Sequence, residues 1–174
     1  MEKVLLLHSS TDGQTIKIMA HIKAELGPDC ECTLQDLNTL PAINWQQYDR
    51  VLIGASVRYG HLSKKLYQFI TANLEQLNQH KVAFFCVNLT ARKEGKNTPE
   101  TSAYMKKFRM KSPWLPKLQA VFAGALHYPR YGWFDRMMIQ LIMRITGGET
   151  DTTKEVEYTD WSKVTEFAAQ FRRF

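Results

Sequence analysis

The feature that most constrains this chain is the alternation of apolar strand patterns with amphipathic helix patterns along its whole length. The continuous apolar run at 51–55 is typical of a strand that is covered on both faces. Between such runs, apolar residues recur at helical spacing, as Met19, Ile22 and Leu26 do within 13–26. This alternation predicts an α/β fold, in which helices cover both faces of a parallel sheet.

The same patterns predict where each element lies. The predicted strands are 3–8, 31–36, 50–55, 82–87 and 120–126. The predicted helices are 13–26, 64–77, 101–110 and 160–171. Between the last strand and the last helix, an aromatic cluster and an apolar helix at 133–145 look like an insertion into an otherwise compact design. We therefore predict a single domain over 1–174 with an insertion at about 127–150.

Composition narrows the class of protein further. Hydrophobic residues make up 44% and charged residues 23% of the 174 residues, as is ordinary for a soluble domain. The apolar run at the N-terminus stops at His8, too short for a signal peptide, and predicts a buried strand in a cytoplasmic protein. Cys30, Cys32 and Cys86 are too few for a disulfide framework, and no second pair completes a metal site around the first two.

Positive charge is concentrated in one part of the chain. The segment 91–145 holds 11 Lys and Arg against 3 acidic residues, a balance of +8, whereas the whole chain carries +6. A concentrated basic region predicts an anionic partner: nucleic acid, membrane lipid or a carboxylate-rich substrate. No nucleic-acid recognition motif accompanies it, so we predict no nucleic-acid partner.

The segment 10–15 lies where the first strand meets the first helix. Unpaired amides and the positive end of the helix dipole make such a junction a phosphate site. There is no lysine for a nucleoside triphosphate loop and no dinucleotide-binding glycine pattern, so a single phosphate such as that of FMN is favoured. Asp12 would repel a phosphate and is predicted to cap the helix instead. The alternative is an ordinary capped turn without a ligand.

This loop resembles that of the flavodoxin family: Ser or Thr, any residue, Thr or Asp, Gly, any residue, Thr. The resemblance implies a flavodoxin-like, doubly wound five-stranded parallel sheet, with FMN as the cofactor. It implies that the FMN phosphate is held by Ser10, Thr11, Asp12, Gly13, Gln14 and Thr15. The flavin ring would lie between two further loops, Ser56, Val57, Arg58, Tyr59 and Gly60 after the third strand and Cys86, Val87, Asn88 and Leu89 after the fourth. Tyr59 could stack on the ring, and Arg58 could stabilise negative charge near a reduced flavin.

Several stretches are similar to a narrower group, the flavodoxin-like, quinone-dependent protoporphyrinogen oxidases of bacterial haem synthesis. They are 48–50, 53–61, 87–93, 123–126, 128–131 and 147–152. The resemblance implies FMN-dependent oxidation of protoporphyrinogen IX to protoporphyrin IX with menaquinone or ubiquinone as acceptor. Because a quinone dissolves in the bilayer, we predict a cytoplasmic protein associated peripherally with the cytoplasmic face of the inner membrane.

The propionates of a porphyrinogen would pair with basic side chains. The candidates are Arg58, Arg92, Lys93 and Arg130. His61 and His127 lie near the expected flavin edge, but a structural or solvent-facing position is favoured for both, and no catalytic acid or base is named. Two other functions stay open: a quinone reductase fed by NAD(P)H, and a flavodoxin that only carries electrons. An oligomer also stays open.

The inserted helix at 133–145 has a polar stripe and a wide apolar face. Arg136, Gln140 and Arg144 recur every four residues and share the stripe. A helix of this length spans about 20 Å, short of the roughly 30 Å hydrocarbon core, so it cannot cross a bilayer. We predict that it lies in the membrane interface with the arginines toward the headgroups. The alternatives are packing on the domain's own core or in a dimer.

Overall fold

The centre of the molecule is a parallel sheet of five strands in the computed structural model, which describes residues 1–10 and 12–174. The strands are β1 (Glu2–Ser9), β2 (Cys30–Asp36), β3 (Arg50–Ser56), β4 (Val82–Asn88) and β5 (Leu118–Ala123). They pair in the order β2-β1-β3-β4-β5, and every pair is parallel. This order confirms the predicted flavodoxin-like, doubly wound fold.

Helices cover both faces of the sheet because the strands are apolar on both sides. Along β1, Leu5 and Leu7 belong to one buried cluster, whereas Val4 and Leu6 belong to another. The first cluster packs against α2 (Lys64–Ala72), α3 (Leu74–Gln79) and α4 (Ala103–Lys111). The second packs against α1 (Gln14–Leu26) and α6 (Trp161–Arg173). Burial on both faces explains why these strands read as continuous apolar runs.

The strand register brings the carboxyl ends of neighbouring strands to one edge of the sheet. Ser9 at the end of β1 lies opposite Ala55, and Ser56 at the end of β3 lies opposite Val87. The chain continues from the end of β1 over one face of the sheet and from the end of β3 over the opposite face, so a crevice opens between the ends of these two strands. Ligands of open α/β sheets bind in such a crevice.

The predicted helix 64–77 is two helices. Asn73 separates α2 from α3, and both its backbone N–H and its side-chain amide donate to the carbonyl of Phe69. A short polar side chain that competes for a backbone carbonyl in this way ends a helix locally. The apolar pattern continues through Leu77, and periodicity therefore did not reveal the break.

The insertion forms a small substructure of its own. The predicted strand 120–126 divides at Gly124 into β5 and β6 (Ala125–His127), and β6 pairs antiparallel with β7 (Glu155–Glu157). Between them lies α5 (Trp133–Thr146). Their shared core consists of the buried residues Leu126, Tyr128, Tyr131 and Met143. The strand β7 was not predicted, because two of its three residues are exposed glutamates.

The orientation of α5 corrects the prediction about its polar stripe. Arg136 Nη2 donates to the carbonyl of Tyr131 at 3.4 Å, and Gln140 Nε2 donates to that of Thr150 at 2.9 Å. Both side chains therefore face the domain, where they satisfy backbone carbonyls, rather than headgroups. Arg144 alone of the three is exposed. Among the described helices, none is both long and apolar enough to span a membrane.

Candidate active site

The junction of β1 and α1 has the geometry of an anion site. Gly13 precedes the helix with φ 87°, a left-handed conformation that favours glycine, and its N–H donates to Ser10 Oγ at 3.0 Å. No side chain among the described residues caps α1, so none of them competes with a ligand for the first backbone N–H groups of the helix. Thr15 is fully buried, and its hydroxyl has no hydrogen-bond partner in the described part of the chain. Thr11, predicted to belong to this site, lies outside the described residues.

Asp12 does not cap the helix as predicted. Its carboxylate instead accepts a hydrogen bond from Arg58 Nη1 at 2.8 Å. The loop after β3 supplies a guanidinium within reach, and an ion pair with it neutralises the charge of Asp12 beside the predicted phosphate site. The ion pair therefore reduces the repulsion between the Asp12 carboxylate and a phosphate.

Gln14 anchors the start of α1 to a distant part of the domain. Its side-chain amide donates to Thr159 Oγ1 at 2.9 Å, and Thr159 in turn donates to the carbonyl of Ala123 at 2.6 Å. Gln14 and Thr159 are both buried. Thr159 had no signal in the sequence, because only folding brings it across from a residue 145 positions away.

Arg58 joins three parts of the site. Besides Asp12, it binds Asp135 of α5, with Nη2 at 2.6 Å from Oδ2, and Asp135 also accepts a hydrogen bond from the hydroxyl of Tyr59. Burial acts to lower the pKa of Arg58, but the charge of Asp12 and the hydrogen bonds of Asp12 and Tyr59 outweigh burial and raise it. The hydrogen bond to Asp135 raises the pKa of the Tyr59 phenol.

Tyr59 holds a strained backbone within this network. Its φ is 49°, in the left-handed region that a residue other than glycine adopts rarely. The guanidinium of Arg58 lies 5.4 Å from the centroid of its ring, and the ring is 42% exposed. Strain of this kind is concentrated at ligand-binding sites, where the surroundings impose it.

The turn after β4 is shaped by Asn88. Its buried side-chain carbonyl accepts hydrogen bonds from the Ala91 N–H at 2.9 Å and the Thr90 hydroxyl at 2.8 Å. Val87, Asn88 and Leu89 line the cleft. Cys86, predicted with them, lies in the core instead, where burial raises the pKa of its thiol to about 12.

The three loops and α5 surround an open cleft. Ser10, Asp12, Gln14 and Thr15 line the end of the cleft at the start of α1, and Ser56, Val57, Arg58, Tyr59 and Gly60 line one side. The sequence patterns did not assign to the site the further lining residues Thr90, Tyr104, Gly124, Ala125, Tyr131, Ile139, Ile142, Met143 and Thr146. The apolar face of the insertion was visible in the sequence, but nothing indicated that its inner flank would cover the cleft.

The basic residues predicted for substrate do not all reach this cleft. Arg92 lines it, and its guanidinium donates to the carbonyls of Leu89 and Thr146, holding the end of α5. Arg130 pairs with Glu155 outside the cleft. Lys93 is half-buried and does not line it either. His61 and His127 are likewise absent from the residues described around the cleft.

Comparison with known proteins gives this fold and cleft a family. The family model for the flavodoxin domain matches residues 5–153, and the chain belongs to the flavodoxin family, as predicted. Curated relatives of this chain carry the particular name protoporphyrinogen IX dehydrogenase (quinone). The protein from Escherichia coli (strain K12) is 47% identical over 169 residues, which cover 97% of this chain and 93% of the relative. The protein from Leishmania major is 47% identical over 171 residues, which cover 97% and 74%.

Solved structures support the fold alone. A flavodoxin from the domain Archaea superposes with a TM-score of 0.54 at 12% identity and covers 98% of this chain and 96% of its own. The two-electron reduced flavodoxin of Megasphaera elsdenii gives a TM-score of 0.52 at 14% identity and covers 68% and 84%.

Proposed function

We propose that this chain binds FMN in the cleft and oxidises protoporphyrinogen IX to protoporphyrin IX, with a membrane quinone as electron acceptor. The observation that carries the proposal is the 47% identity, over 97% of the chain, to relatives named for this reaction. The alignments cover 97% of the chain and therefore include the loops and the insertion as well as the sheet.

The chemistry of the cleft fits FMN. The amides at the start of α1, which no described side chain caps, and the buried Thr15 hydroxyl are donors suited to one phosphate group. The flat ring would lie between the loop that carries Tyr59 and the turn at Asn88. FMN, when bound, supplies the transfer of an electron pair between two substrates that never meet. The protein's own residues hold it, exclude water and place charge around it.

Each cycle would take an electron pair and the accompanying protons from the porphyrinogen and deliver them to one quinone, which leaves as the quinol. Repeated cycles complete the conversion to the porphyrin. We propose that the propionates of the substrate pair with Arg58, Arg92, Lys93 and Arg130. Arg58 and Arg92 line the cleft, whereas Lys93 and Arg130 would meet a substrate that extends beyond it.

We also propose that the chain docks on the cytoplasmic face of the inner membrane through the outward face of α5. That face consists of the exposed residues Trp133, Phe134, Met137, Leu141 and Ile145. Trp133 is 76% and Ile145 77% exposed, and a surface of this kind is normally covered. The positive balance of the segment 91–145 complements anionic lipid headgroups, and a quinone acceptor is dissolved in the same bilayer.

An anaerobic assay with purified holoprotein, protoporphyrinogen IX and a quinone tests the reaction by the appearance of porphyrin fluorescence. We expect fluorescence to appear only when a quinone is present. This expectation holds whichever of menaquinone and ubiquinone is the better acceptor. Efficient reduction of the quinone by NAD(P)H instead would assign the protein as a quinone reductase. Absence of turnover with either donor would leave electron carriage as the remaining function of the protein.

A further inference from the structure

The helix α5 has two apolar surfaces with different surroundings. Ile139 and Met143 point inward and line the cleft, and Met143 is fully buried. Leu141, on the outward face, is 50% exposed and does not line the cleft. The helix is therefore both the cover of the cleft and, under the proposed function, the part of the molecule that touches the membrane.

Ile142 lies where these two surfaces meet. It lines the cleft and is also 38% exposed. Among the described large hydrophobic residues, Tyr59 is the other one that combines both properties, at 42% exposure. Because each contacts the interior of the cleft and solvent at once, Ile142 and Tyr59 lie at its mouth.

Both ends of α5 are fastened to the domain. In the first turn, Asp135 binds Arg58 and Tyr59. In the last turn, Arg92 donates to the carbonyl of Thr146 at 3.0 Å and to its hydroxyl at 3.1 Å. The helix is therefore held at both ends, and Ile142 lies between the two attachments.

We infer that the flank of α5 at Ile142 is the portal through which the quinone reaches the flavin. This inference rests on the proposed function. A quinone ring leaving the bilayer beside the outward face of α5 would pass Ile142 into the cleft and remain in contact with apolar side chains, so that it never crosses water. Its isoprenoid tail would stay at Ile142 and in the bilayer while the ring is reduced.

Side chains of different size at Ile142 test the portal. The holoprotein is assayed with a long-tailed menaquinone in vesicles and with a tail-less naphthoquinone in solution, and kcat/KM is compared between the two. Ile142→Trp narrows the portal, and we expect it to lower the ratio of tailed to tail-less activity about tenfold, the size of effect typical of steric changes in a pocket. Ile142→Ala widens the portal and is expected to leave the ratio unchanged or raise it.

Two controls separate the portal from general damage. Met110→Trp places the same ring on α4, at a residue that is 87% exposed and outside the cleft, and is expected to leave the ratio unchanged. Flavin absorbance after gel filtration reports whether each variant still holds FMN. Equal losses with both quinones in Ile142→Trp would overturn the portal and make Ile142 a packing residue of the cleft.

Photolabelling tests the portal without turnover. A photoreactive azidoquinone with an isoprenoid tail is mixed with the vesicle-bound holoprotein and irradiated, and the labelled peptides are identified by mass spectrometry. We expect label within α5 near Ile142, and less of it in Ile142→Trp. Label confined to other peptides would overturn the portal even if the porphyrinogen reaction is confirmed. Label at Ile142 without porphyrinogen oxidation would overturn the proposed reaction and leave the portal standing.

Discussion

At the residue scale, the hydroxyl of Thr15 connects the stability of the apoprotein with its affinity for FMN. The hydroxyl is buried without a partner among the described residues, and an unpaired buried polar group is costly until a ligand satisfies it. Thr15→Val keeps the shape and removes the hydroxyl. We expect FMN affinity to fall about tenfold, a loss of roughly 1.4 kcal/mol, while the apoprotein becomes no less stable.

Fluorescence titration of the apoprotein with FMN and thermal unfolding without FMN measure the two effects of this substitution. Thr15→Ser keeps the hydroxyl and is expected to retain most of the affinity. If Thr15→Val lowered the melting temperature of the apoprotein and left the FMN affinity unchanged, the hydroxyl would have a structural role only.

Gly54 is required in β3 for space and not for backbone freedom. A Cβ at this position would lie 2.3 Å from Phe85 Cζ and 2.8 Å from Met19 Cε. We expect Gly54→Ala to reduce the free energy of unfolding by about 1–3 kcal/mol, as overpacking of a core does. Gly132→Ala is the matched control, because its Cβ meets nothing within 4 Å and its φ is −62°. Urea denaturation measures both, and equal midpoints would contradict the close packing around Gly54.

At the scale of elements, Asp135 attaches α5 to the loop after β3. Asp135→Asn keeps the shape of the side chain and removes its charge, so we expect the first turn of α5 to open more often. The pair with Arg58 is partly exposed, which limits the effect to about 1 kcal/mol. Hydrogen exchange should be roughly fivefold faster in 133–137 and unchanged in β1 and α1.

Glu155→Gln is the control for this ion pair. It breaks the pair with Arg130. Because the Arg130 side chain is 63% exposed and that of Glu155 41% exposed, we expect hydrogen exchange to change very little. The same acceleration in both variants would mean that charge in the insertion matters generally and that Asp135 is not a specific attachment.

At the scale of the whole molecule, the outward face of α5 and the basic charge predict salt-sensitive binding to anionic vesicles. Met137→Glu combined with Leu141→Glu places two charges on that face and should weaken sedimentation with vesicles at least tenfold, since a carboxylate is costly to bury in lipid and is repelled by anionic headgroups. FMN should stay bound, because neither residue lines the cleft.

The matched control puts the same two charges elsewhere. Met110 and Leu115 are 87% and 60% exposed and lie outside α5, so Met110→Glu combined with Leu115→Glu should leave most of the binding intact. Wild-type protein that ignores anionic vesicles at low salt, but elutes as a dimer, would assign the outward face of α5 to a second copy of this chain.

The sequence by itself determined the fold class and the family, and it predicted the phosphate loop. Strand and helix periods are local properties, and a strand–loop–helix junction is read from consecutive residues. The predicted strands agree with the structure except where Gly124 divides the fifth, and the predicted family is confirmed. The helix break at Asn73 was missed because one polar side chain does not interrupt an apolar period.

The tertiary structure alone decided how the cleft is completed. Asp12 binds Arg58 instead of capping α1, and Asp135 reaches Arg58 from 77 positions away. The helical spacing of residues in α5 predicted a polar and an apolar face, but not which of them would face the domain. Packing of Met143 in the small core of the insertion turned Arg136 and Gln140 inward. Contacts of this kind depend on how separate elements pack against each other, and no local pattern of residues encodes that arrangement.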